Sequence, residues 1–165
     1  MTTTRRDFVK VSAATVGALS LGLGGCRPGA DAQPRTLRIL ILGGTGFIGP
    51  HMVRYAQSRG HTITLFNRGR TNPHLFPGVE KLKGDRDGDL KALEGREWDV
   101  VIDNSGYVPR HVRDSAQLLS GAAGQYLFIS SVSAYRDFLT PNFDEDYALG
   151  TMDDPTVEEV NGETY

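Results

Sequence analysis

The 165-residue chain has one cysteine, Cys26. A single thiol forms no internal disulfide and builds no metal site by itself. The four histidines, His51, His61, His74 and His111, are scattered without HxxxH or HxH spacing, so no metal is expected. Excess positive charge is also lacking: the formal net charge is −2. That balance gives no basic footprint for nucleic acid, and none is expected as a partner. There is no acidic low-complexity tail. The weakly apolar stretch from Val11 to Gly25 covers 15 residues, short of the roughly 20 that a helix needs to cross a bilayer. What is left is the composition of an ordinary globular chain, long enough for one domain of roughly 100–150 residues.

Thr4-Arg5-Arg6-Asp7-Phe8-Val9-Lys10 precedes the apolar stretch. A charged start, an apolar middle and small residues at the end describe a signal peptide over residues 1–25. The paired arginines with Phe8 and Lys10 resemble a twin-arginine export signal. This implies a bacterial protein that folds before export, bound for the periplasm or the cell surface. Leu23-Gly24-Gly25-Cys26 resembles a lipoprotein box. Two readings stay open there: a lipidated Cys26 that anchors the chain to a membrane surface, or a plain signal with a chance cysteine. Removing residues 1–25 takes away Arg5, Arg6, Lys10 and Asp7, a net +2, and leaves −4. Residues 26–36, with Pro28, Gly29 and Pro34, read as a linker to a domain over 37–165.

From Leu37 the pattern alternates. Leu37 to Leu42 is a short apolar run ending in glycines, a buried parallel strand. Phe47 to Ser58 carries Ile48, Met52, Val53 and Ala56 at helical spacing, with Pro50 in the first turn and Gly60 as the stop. Strands are expected at Thr62–Phe66, Glu80–Lys83 and Asp99–Asp103, and a further buried strand at Gln125–Ser130. A short helix is expected at Asp87–Leu93 and a longer one at Arg110–Leu119. From Asp137 the chain reads as irregular loop. Strands alternating with helices imply βαβ units, right-handed crossovers and a parallel sheet with helices on both faces. The fold class is therefore α/β, a doubly wound three-layer sheet of five strands in the order 3-2-1-4-5, incomplete towards its C-terminus.

Gly43, Gly46 and Gly49 follow the first strand directly and open the first helix. Gly43 permits the tight turn, Gly46 the close approach of backbone to a pyrophosphate, and Gly49 the packing of helix on sheet. The helix N-terminus offers N–H groups and partial positive charge to phosphates, so Thr45, Phe47 and Ile48 join the candidate site. The spacing and the wording Gly43-Gly44-Thr45-Gly46-Phe47-Ile48-Gly49 resemble the extended short-chain dehydrogenase/reductase family, which includes NAD-dependent epimerases and dehydratases. The resemblance runs from about Leu37 to the end and implies a Rossmann domain.

In such domains an acidic residue at the end of the second strand binds the ribose 2′-hydroxyl and favours NAD. Asn67 stands there, followed by Arg68 and Arg70. No carboxylate repels a 2′-phosphate, and arginine can clamp it. NADP is therefore expected in preference to NAD. The resemblance implies that Asp85, after the third strand, binds the adenine amino group, with Arg86 beside it in the cofactor site; a turn residue capping the next helix is the plainer alternative for Asp85. It also implies that Asn104, Ser105 and Gly106 border the cofactor ribose.

Phe128 to Tyr135 resembles the Ser-Ser-x-x-x-Tyr stretch of the same family. That implies a catalytic hydroxyl on Ser131, with Ser130 and Ser133 as alternatives. The family's Tyr-x-x-x-Lys motif places a proton-transferring tyrosine before a lysine that stabilises its phenolate. Gly162-Glu163-Thr164-Tyr165 resembles the approach to it, which makes Tyr165 the candidate acid/base. Its lysine would fall four positions past Tyr165, so an N-terminal part of a longer enzyme is expected. The implied activity is a NAD(P)-dependent epimerase, dehydratase or reductase acting on a small-molecule substrate, with homodimerisation left open. A non-catalytic dinucleotide sensor on the same fold is the alternative. Some plastid relatives that handle RNA resemble the Gly-Phe-Ile-Gly and Phe-Asn-Arg-Gly stretches, but the export signal and the negative charge count against that reading.

Overall fold

A computed structural model describes residues 35–152, 154 and 156–159. Residues 1–34, which hold the expected signal and most of the expected linker with Cys26, and Tyr165 lie outside the described residues. The sheet has five parallel strands in the order β3-β2-β1-β4-β5. These are β1 (Arg38–Leu42), β2 (Thr62–Asn67), β3 (Glu80–Lys83), β4 (Trp98–Asp103) and β5 (Ala123–Phe128). Helix α1 (Gly49–Ser58) joins β1 to β2, and α2 (Pro109–Leu119) joins β4 to β5.

β1 is central because it is apolar on both faces. Strand side chains alternate. Ile39 and Ile41 pack with Val53, Ala56, Ile63 and Leu65. Leu40 and Leu42 point the other way, against Phe66, Leu93, Trp98, Val101 and Leu119. α1 contributes to the first cluster and α2 to the second, so helices cover both faces. Each fully buried Leu or Ile contributes about 1.5–3 kcal/mol by leaving water.

Three expectations need correction. α1 begins at Gly49, not Phe47. Phe47 has φ +47°, which no right-handed helix accommodates. The helix expected at Asp87–Leu93 is a turn followed by one 3-10 turn at Lys91–Leu93. Asp85 and Asp89 exchange backbone hydrogen bonds of 3.0 and 2.9 Å, and Gly88 sits at φ +99° between them, so the chain reverses instead of coiling. β5 starts at Ala123 and is not a buried strand. As the sheet's last described strand it has one neighbour, and Leu127 and Phe128 remain 41% exposed.

After β5 a 3-10 turn at Val132–Ala134 is followed by irregular chain, as expected. It is nonetheless packed locally: the rings of Tyr135 and Tyr147 flank Phe143, each with centroids 4.9 Å from it.

Candidate active site

Strands that all run one way bring their C-terminal ends to one edge, which is where doubly wound folds bind ligands. A cavity of about 1200 Å³ opens there. It is lined by the β1–α1 loop from Gly43 to Ile48, by Asn67 to Thr71 from the end of β2, by Gly84 to Asp87 after β3, by Asn104 to Tyr107 after β4, and by Phe128 to Ser131 from the end of β5. The structure thus gathers along one cavity all the expected site residues except two. Gly49 is buried behind the loop, and Tyr165 lies outside the described residues.

The β1–α1 loop turns back at Gly43 (φ +109°) and Gly44 (φ +90°). Only glycine takes such angles without strain. Gly49 is where helix and loop touch: a Cβ there would stand 2.6 Å from the Gly44 backbone. At Gly46 a Cβ would meet nothing closer than the Thr71 methyl, at 3.6 Å, so that side of the loop is open for a ligand. Among the described residues, the amides of Gly44, Thr45, Gly46, Phe47 and Ile48 have no hydrogen-bond acceptor. Gly44 and Thr45 are buried. Buried amides without partners are rare in native proteins. A run of them at a helix N-terminus is an anion site. The residues present therefore fit a diphosphate.

Arg68 and Arg70 are exposed and line the cavity. Asn67 is committed otherwise. Its Nδ2 donates to the Gly43 carbonyl at 3.1 Å and its Oδ1 accepts from the Gly69 amide at 2.8 Å. Asp85 is half-buried at the cavity wall, with Oδ1 accepting the Asp87 amide at 3.2 Å; its other carboxylate oxygen has no described partner. Asn104 packs its amide oxygen over Gly43, and the Ser105 hydroxyl donates to the Leu42 carbonyl at 3.0 Å. Gly106 is small because the Val112 side chain would stand 2.5 Å from a Cβ.

Arg86 lines the cavity wall, and its guanidinium is also engaged by protein groups. Nη1 donates to Asp103 Oδ1 at 2.7 Å and to the Ser105 hydroxyl at 3.3 Å. Nη2 donates to Asp103 Oδ2 at 2.8 Å, to the His111 carbonyl at 2.6 Å and to Ser115 Oγ at 3.0 Å. The Tyr126 hydroxyl donates to Asp103 Oδ2 at 2.7 Å. This network of Arg86, Asp103, Ser115 and Tyr126 fastens the ends of β3 and β4 to α2 and β5. It thereby holds Asp85 and Ser105 at the cavity wall. Sequence reasoning missed Asp103. The available signal was a carboxylate closing a buried strand, since a buried acid requires a cation.

Beside this network, Asp87 accepts from Arg110 and pairs with His111 Nε2, both at 2.9 Å. The hydrogen bond from His111, then that from Arg110, holds the Asp87 carboxyl below its usual range.

Ser131 is exposed at the β5 end of the cavity. It caps the 3-10 turn by accepting the Ser133 amide at 3.1 Å. Its hydroxyl proton stays free to donate, because that bond uses only a lone pair.

The model of the NAD dependent epimerase/dehydratase family matches residues 39–156. The chain is 33% identical over 126 residues to the chloroplast stem-loop binding protein of 41 kDa b from Arabidopsis thaliana, covering 66% of this chain and 33% of that protein. It is 30% identical over 114 residues to 2′-dehydrokanamycin reductase from Streptomyces kanamyceticus, covering 66% of this chain and 30% of that one. Of solved structures, the Bordetella bronchiseptica enzyme WbmG in complex with NAD superposes with a TM-score of 0.63 at 18% identity, over 73% of this chain and 46% of that one. A UDP-galactose 4-epimerase superposes with a TM-score of 0.60 at 19% identity, over 68% and 44%. These two structures share the fold. The chain spans about a third of the length of these two curated relatives.

Proposed function

The chain belongs to the NAD-dependent epimerase/dehydratase family, and on that premise we propose that it serves a NAD(P)-dependent oxidoreductase, epimerase or dehydratase of the extended short-chain dehydrogenase type, with NADP preferred. The observation that carries this reading is the run of acceptor-free amides from Gly44 to Ile48, opening on a cavity that continues to Ser131. The bound dinucleotide would supply a hydride donor or acceptor at its nicotinamide. The chain's residues do the holding. The amides at the start of α1 bind the diphosphate, with the helix dipole adding to the attraction. Arg68 and Arg70 bind the 2′-phosphate through charge-assisted hydrogen bonds. The free oxygen of Asp85 accepts from the adenine amino group. The Ser131 hydroxyl donates to the oxygen on the substrate carbon that gains or loses hydride, and Tyr165 moves the proton.

Titration of the chain with NADPH and NADH, followed by nucleotide fluorescence, tests this. NADPH should bind more tightly. Arg68→Ala should weaken NADPH about ten- to a hundredfold, the worth of a hydrogen bond to a charged group, and leave NADH almost unchanged. Equal wild-type affinities would refute the NADP preference. Absence of affinity for either nucleotide would refute the reading as a whole.

RNA binding is a second reading, favoured by the likeness to the stem-loop binding relative. The net charge of −2 opposes it. A salt-dependent gel shift with structured RNA would revive it. The proposal also includes export directed by residues 1–25 and a lipid on Cys26. Labelled fatty acid should enter the wild-type protein in a bacterial host and not Cys26→Ser.

A further inference from the structure

A loop that offers N–H groups to an anion must turn its carbonyls away, because each carbonyl oxygen facing a diphosphate repels it. Besides the Ile48 carbonyl, which accepts helix amides, three carbonyls of the β1–α1 loop are held in that way. The Gly46 carbonyl accepts the Gly49 amide at 2.9 Å, inside the loop's own turn. The other two are held from outside. Asn67 Nδ2 donates to the Gly43 carbonyl at 3.1 Å. Asn72 Nδ2 donates to the Thr45 carbonyl at 2.9 Å.

Asn72 is built for this task. It sits in left-handed backbone at φ +43°, a region that asparagine and glycine tolerate and most side chains avoid. Its carbonyl accepts the Leu75 amide at 3.1 Å. Lys81 Nζ donates to the carbonyl of the next residue, Pro73, at 2.9 Å. The turn is therefore fixed from both sides, and its amide is aimed at the loop. The preceding residue, Thr71, places its methyl beside Gly46. The segment carrying Arg68 and Arg70 is thus tied to the phosphate loop at both ends, by Asn67 and by Asn72.

We propose that Asn72 is a positioning residue for dinucleotide binding: its amide draws the Thr45 carbonyl back from the diphosphate path and fixes the phosphate loop against the Arg68–Arg70 segment. This rests on the reading that the loop receives a diphosphate.

The test uses the full chain, Asn72→Gly and Asn142→Gly. Glycine keeps the left-handed backbone at residue 72 and deletes only the donor. Asn142 is also left-handed, at φ +58°, and does not line the cavity. It reports what an Asn-to-Gly change costs by itself. Each protein is titrated by calorimetry with ADP-ribose, which carries the diphosphate, and with adenosine 2′-monophosphate, which does not.

Asn72→Gly should weaken ADP-ribose about three- to tenfold, the worth of one hydrogen bond. It should leave adenosine 2′-monophosphate unchanged and melt as Asn142→Gly does. Unchanged ADP-ribose affinity in Asn72→Gly would overturn the proposal. So would an equal loss for both ligands, or an equal loss in Asn142→Gly. A wild-type chain that bound no ADP-ribose would defeat the nucleotide reading itself, and this proposal with it. Wild-type binding with Asn72→Gly unimpaired would defeat the role of Asn72 alone.

Discussion

Asp103 is fully buried, and Arg86 meets both its oxygens. A buried pair of this kind adds little against an apolar replacement, but losing one partner strands the other charge. Asp103→Asn keeps the shape and removes the charge. It should destabilise the fold by about 3–5 kcal/mol in urea titrations, whereas the double change Asp103→Leu with Arg86→Met should recover much of the loss. If the single variant melted like wild type, the pair would not be holding the strand ends. The same residues show where sequence reading stops. Arg68, Arg70 and Arg86 all follow strands, so residue type and position place all three in the cofactor site. Direction separates them. Gly84 is pressed against the Phe66 ring and the Asp89 carbonyl, and the chain leaves β3 with Arg86 turned inward. Nothing in a one-dimensional pattern encodes that turn. Asn67 and Asn72 are similar cases: an amide's use depends on which carbonyl comes within reach.

At the scale of elements much more was legible, for physical reasons. β1 and β2 are buried on both faces and β4 largely so, and their apolar runs stand out against the polar segments between them. β3 is short and polar, yet its bounds at Glu80–Lys83 are those expected, because Pro77-Gly78 and Gly84 delimit it. The expected helix at Asp87–Leu93 failed where Gly88 and the Asp85–Asp89 pairing favoured a turn. The phosphate loop was legible as a motif, and the structure now divides labour among its glycines. Gly46 has room for a methyl group in the protein itself, whereas Gly49 has none. Gly46→Ala should fold within about 0.5 kcal/mol of wild type. Its methyl would occupy the diphosphate's approach, so NADPH affinity should fall more than tenfold. Gly49→Ala should instead cost about 1–3 kcal/mol of stability, because the start of α1 must move off Gly44. Chemical melts alongside fluorescence titration separate the two. Tight NADPH binding by Gly46→Ala would refute the assigned path of the diphosphate.

For the molecule as a whole, the sheet is asymmetric. β1 is buried from Ile39 to Leu42, while Leu127 and Phe128 of β5 and the following Ile129 stay at 41–42% exposure. Strand order was readable from the alternation of elements; this asymmetry was not, because Tyr126 to Ile129 looks as apolar as a central strand. β5 is joined to the interior by its ladder with β4 and by Tyr126, whose hydroxyl reaches Asp103 at 2.7 Å and Ser115 at 2.7 Å. Burial, and then the Asp103 carboxylate, push the Tyr126 phenol from its ordinary 10.0 up to about 12, against the opposing hydrogen bond from Ser115. The folded state therefore holds this proton more tightly than the unfolded chain does. Its stabilising effect is complete below about pH 10 and is lost as pH rises through about 12. Unfolding midpoints measured from pH 9 to 12 should fall more steeply for wild type than for Tyr126→Phe, which has no phenol to ionise. Other groups titrate in the same range, so the difference between the two curves isolates Tyr126. Parallel curves would mean that β5 does not depend on this proton. A difference appearing only above pH 10 would make the phenol a reporter of how firmly the last described strand is attached to the charged network at the sheet's C-terminal edge.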